Sequence, residues 1–80
     1  MNISVIKKLV ETQSVEELLK AERALIEDEP LPFEIEGNDG SQQLSYTIAA
    51  LWIKELMTEK KLSFQQALDT YFRQVRETIN

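Results

Sequence analysis

The chain has 80 residues, 42% of them hydrophobic and 29% charged, with a formal net charge of −5. A chain this short makes one domain, residues 1–80, with room for a single apolar layer between helices and not for an enclosed, enzyme-sized substrate cavity. It contains no Cys and no His, which excludes disulfides, thiolate nucleophiles, zinc–sulfur sites and the commonest general base.

The first expected helix covers about residues 3–12. Ile3, Ile6, Leu9 and Val10 recur there at spacings of three and four, which places them on one face. The apolar run around them is too short for a signal peptide, and no segment approaches the roughly 18 apolar residues of a membrane span. These features point to a cytoplasmic protein without membrane contact.

The second helix opens with SVEE. Ser14 can accept from the Glu17 N–H while the Glu17 side chain reaches back, the reciprocal arrangement of a capping box. Val15, Leu18, Leu19, Ala21, Leu25 and Ile26 form its expected apolar stripe. Pro30 sets the latest end, because the residue before a proline is pushed out of the α region.

Residues 27–41 read EDEPLPFEIEGNDGS and hold both prolines, both glycines and six acids. Within residues 31–36 the chain alternates: Leu31, Phe33 and Ile35 share one side, and Glu34 and Glu36 the other. That is a strand period, so an extended segment is expected here, followed by a turn at Gly37–Gly40. A lone strand cannot satisfy its own backbone. Pro30 and Pro32 remove donors from one edge, which leaves the edge carrying Leu31, Phe33 and Ile35 to pair with a partner. Those three residues are the candidate interface: their apolar face is expected to lie on the helices while the edge pairs, most simply with a second copy of the segment across a dimer axis. The equal alternative is an extended connection packed on its own helices with water on both edges.

The third helix follows, capped by Asp39 or Ser41 and running to about Lys60. Leu44, Ile48, Leu51, Trp52, Glu55 and Leu56 fall in one sector, and Ala49, Ile53 and Met57 widen the apolar surface. A helix apolar over more than half its circumference belongs at the centre of the domain. Trp52 is expected to lie buried between the third and fourth helices. The fourth helix opens with a second box, Ser63 to Gln66. It carries the stripe Phe64, Leu68, Tyr71, Phe72, Val75 and Ile79, with Arg73 and Arg76 near its negative end. A gap of a few residues makes helices three and four antiparallel neighbours.

Candidate chemistry is sparse. The acids of residues 27–39 do not follow a calcium loop: counted from Glu34, position twelve is Ser45, not a bidentate Glu. They read as a solvated face, and no metal is expected. Glu55 is the one acid within the apolar sector of helix three, and it reads as an edge residue paired with Lys54, Lys60 or an arginine of helix four. The aromatic residues lie on apolar stripes without interleaved bases, so they read as core and not as a nucleic-acid platform. Ten acids against Lys20 and Arg23 within residues 11–39 argue further against nucleic acid and anionic lipid as partners. Asp39-Gly40-Ser41 opening a helix resembles acyl carrier proteins in outline. Those attach a cofactor to a Ser preceded directly by Asp and followed usually by Leu, whereas Gly40 and Gln42 flank Ser41 here.

The run PLPFEIEG, an acidic turn and a helix containing AALWIKE together resemble a short uncharacterised bacterial family of about this length. That resemblance implies no activity, cofactor or catalytic residue. The expectation from sequence is a mainly α, four-helix domain with one extended segment at about 31–36. It is read as a non-enzymatic, acidic interaction or accessory protein with a protein partner, itself as a homodimer being the simplest. The alternatives are a carrier modified at Ser41 and a small subunit of an enzyme complex.

Overall fold

Each helix begins where a short polar side chain can hold the otherwise free N–H groups of the first turn. The computed structural model describes residues 2–79, with side chains through Val75. The helices are α1 (Ile3–Thr12), α2 (Val15–Glu27), α3 (Gly40–Glu59) and α4 (Phe64–Ile79). Asn2 caps α1, its side chain accepting from Ser4 N–H at 2.9 Å. Ser14 caps α2, accepting from Glu17 N–H at 3.1 Å. Asp39 caps α3, accepting from Gln42 N–H at 2.9 Å. The N-terminus of α4 has the full reciprocal box: Gln66 N–H donates to Ser63 Oγ at 3.2 Å, and Ser63 N–H donates to Gln66 Oε1 at 3.0 Å. The Glu17 side chain instead lies 3.6 Å from Lys20 Nζ, so the expected box at α2 is half made.

α3 is the hub. It packs against α1, α2 and α4, and each of them makes its main contacts with α3. Its buried residues are Tyr46, Thr47, Ala49, Ala50, Leu51 and Ile53, which cover a little over half of its circumference. Ala49 and Ala50 have small side chains, so neighbouring helices can lie close on that side. Thr47 is buried and satisfied, its hydroxyl donating to Gln43 O at 2.8 Å. Two long-range bonds tie α1 to the hub: Asn2 N–H to Tyr46 OH at 3.1 Å, and Lys54 Nζ to Val10 O at 3.0 Å. The core around α3 is built from Val5, Ile6, Leu9 and Val10 of α1, Leu18 and Ala21 of α2, and Ala67, Leu68 and Tyr71 of α4.

Several expected stripes are shifted. On α1 Val5 is buried while Ile3 is half exposed, and on α2 Leu19 and Ile26 face outward. α3 occupies one side of each of these helices, so the apolar residues at the margins of their stripes are left uncovered. The Arg76 and Ile79 side chains named above lie outside the described residues.

The segment between α2 and α3 is extended in part but forms no strand among the described residues. The chain bends at Pro32–Phe33 and again over 37–39. The alternation is nonetheless real as burial. Ile35 is in the core and Leu31 and Phe33 pack against it, while Pro30, Pro32, Glu34 and Glu36 are exposed. Within the chain a side chain holds the segment: Gln43 Nε2 donates to Ile35 O at 2.8 Å. Gly37 makes the turn that follows. Its φ of +154° is rarely adopted by L side chains, and a Cβ there would meet Gln43 Cγ at 2.8 Å.

Candidate interaction surface

The residues singled out from sequence do not converge. Among the described residues no group of three or more acids is placed to hold a metal ion. The acids of 27–39 spread along the C-terminus of α2, the outer side of the segment and the start of α3. Within that run Glu29 is raised above its ordinary 4.5, first through a side-chain hydrogen bond with Glu27 and then through the charge of Glu27. Leu31, Phe33 and Ile35 turn their side chains onto the domain's own core, and the Ile35 carbonyl is already bonded to Gln43. Ser41 is exposed on the first turn of α3. Of the two expected caps, Asp39 and Ser41, it is Asp39 that accepts the Gln42 N–H.

The main departure is Trp52. Instead of lying buried between α3 and α4, it is 48% exposed. Its neighbours in sequence explain this. Leu51 and Ile53 are buried on either side, so the helix period turns position 52 away from the three packed helices. Tyr71 of α4 meets the indole edge-on, with ring centroids 5.8 Å apart at 68°. Tyr71 is itself buried, which pushes its phenol above the ordinary value of 10.0, and Phe72 packs against it at 5.7 Å. The indole therefore stands on an aromatic support while much of its surface remains open to solvent.

An open groove of about 220 Å³ runs beside it, lined by Trp52, Glu55, Leu56 and Glu59 of α3 and Gln74 of α4. Glu55 and Glu59 are four residues apart and so share one face of the helix. Both are exposed, and among the described side chains Glu55 pairs with none of Lys54, Lys60 and Arg73; Arg76 lies outside them. The ion pairs among the described residues are Lys20–Glu17 and Arg23–Glu27, and Lys54 is turned toward α1. A groove this shallow suits a side chain or a helix edge and offers no enclosure for a reacting substrate. Sequence reasoning placed Trp52 and Glu55 in one sector of α3 but read that sector as the buried one. The signal that could have separated them is the stripe Tyr46, Ala49, Ala50, Ile53, which keeps the 3–4 spacing with smaller side chains.

No helix among the described residues is long and apolar enough to cross a membrane. Neither a curated protein nor a solved structure matches the chain. Its sequence matches, over residues 1–80, the pattern of a family of unknown function (DUF6952), and the chain belongs to that family.

Proposed function

We propose that the protein is a small, non-enzymatic interaction module of the cytoplasm, and that its contact surface is the groove centred on Trp52. The observation that carries this reading is a tryptophan left half exposed in an open groove yet held from behind by a buried tyrosine. Trp is among the residues that dominate binding energy at interfaces, and one already fixed in place loses little conformational entropy when covered. The absence of His and Cys and the shallow groove favour binding over catalysis.

The test is site-specific crosslinking in the native host. A photo-reactive side chain at Gln74 should capture a discrete protein, whereas one at Glu11, on the exposed side of α1, should not. Trp52→Ser should abolish the Gln74 product while leaving the helical circular dichroism intact. Equal capture at both positions, or capture indifferent to Trp52, overturns the reading. A carrier role has one favourable observation, the exposure of Ser41 on the first turn of α3. An unchanged intact mass after co-expression with a broad phosphopantetheinyl transferase removes it.

A further inference from the structure

We infer that the Trp52 groove takes a cationic amphipathic helix of a protein partner; this rests on the interaction reading above and names the partner's chemistry. The groove joins two features. Its floor is apolar, from Trp52 and Leu56, and one wall carries Glu55 and Glu59 with no ion pair to either among the described residues. Side chains four apart on a helix stand about 5–6 Å from each other, so the two carboxylates form a short negative rail beside the indole. A second helix carrying Lys or Arg three or four positions apart presents positive charges at the same pitch. An apolar residue on the same face of that helix then lies over Trp52 and Leu56. A base near the exposed indole gains a cation–π contact as well.

Charge also argues against other occupants. A second copy related by a two-fold axis through this groove would bring Glu55 and Glu59 toward their own counterparts, in a chain that already carries −5. An anionic polymer or membrane surface would meet the same acids. A cationic helix is the occupant for which the apolar floor and the charged wall act together.

The chain's single tryptophan is the reporter. A synthetic helix of leucine and lysine, with leucine on one face, should shift Trp52 emission to the blue in a saturable titration at low salt, and binding should weaken as salt rises. The same helix with glutamate replacing lysine should give no shift. Glu55→Gln with Glu59→Gln should weaken binding roughly fivefold or more, as two lost ion pairs require. Glu34→Gln with Glu36→Gln removes the same charge from the far segment and should change it less than about twofold. No saturable shift with the lysine helix overturns the inference. So does equal weakening by the two double variants, which would mean attraction to overall charge, or a concentration-dependent dimer that Trp52→Ser dissolves. If the lysine helix fails while the Gln74 crosslink still depends on Trp52, the partner chemistry is wrong and the interaction surface stands. If both fail, both readings fall.

Discussion

Trp52 and Ile53 stand one position apart on α3, which turns their side chains about 100° from each other. Ile53 is fully buried and Trp52 is half exposed. Removing a fully buried aliphatic side chain loses its transfer free energy and leaves a cavity, so Ile53→Ala should cost about 2–5 kcal/mol. That is a large part of the stability of a domain this small. A fully buried Trp would cost about 3–5 kcal/mol on truncation, and one that remains half wet should cost roughly half as much. Urea melts of the two variants check this. Trp52→Ala melting below Ile53→Ala would place the indole in the core after all. The order could not be read from the sequence because hydrophobicity ranks Trp, Leu and Ile above alanine. The side of α3 that packs is chosen partly by small residues, Ala49 and Ala50, which add little to an apolar count but let helices approach.

At the scale of elements, the starts of α2, α3 and α4 were legible because capping is local: a hydroxyl or carboxylate and an N–H three residues on suffice. The resulting bonds differ between helices. At Ser63 both halves of the box form, whereas at Ser14 only the hydroxyl half is made. Ser63→Ala and Ser14→Ala each remove one hydroxyl acceptor, because Ser63→Ala keeps the backbone N–H that donates to Gln66 Oε1. Each should destabilise by about 1 kcal/mol. Denaturant midpoints at constant slope would show this, and a neutral Ser63→Ala would mean its hydroxyl contributes nothing in solution. The segment over residues 31–36 was legible in burial and not in bonding. Its period of two told correctly which side chains face inward. The sequence could not show that Gln43, eight residues after Ile35, would reach back to its carbonyl.

Across the whole molecule the charge is lopsided, and the local sign of that imbalance is visible at Glu29. Its raised value comes first from the hydrogen bond and then from the charge of Glu27. A carboxyl held above its ordinary value is favoured in its protonated form by the fold. Its contribution to stability is therefore present below the ordinary 4.5 and is lost as pH rises through the raised value. Glu27→Gln removes the neighbouring charge and the proton shared between two carboxyls, at the loss of an exposed ion pair to Arg23 that is worth little. Relative to the parent chain, this variant should gain stability between about pH 4 and neutrality, and the gain should shrink with added salt. Thermal melts of both proteins across that range supply the check, and a relative loss over the same range would reverse the assignment. The family resemblance, the four helices and their order were all readable in advance. The groove was not, because it exists only where α4 leaves one side of α3 uncovered.

The position of α3 as hub also bears on how the protein is made. Synthesis runs from the N-terminus, so α1 and α2 leave the ribosome before the helix on which both depend. The faces carrying Ile6, Leu9 and Leu18 have their main partner in residues that are translated later. A short helix without tertiary support is marginal in water. α1 and α2 must therefore wait, with apolar faces uncovered, until Glu59 has emerged. A nascent chain stalled between α2 and α3 is the species most in need of a chaperone.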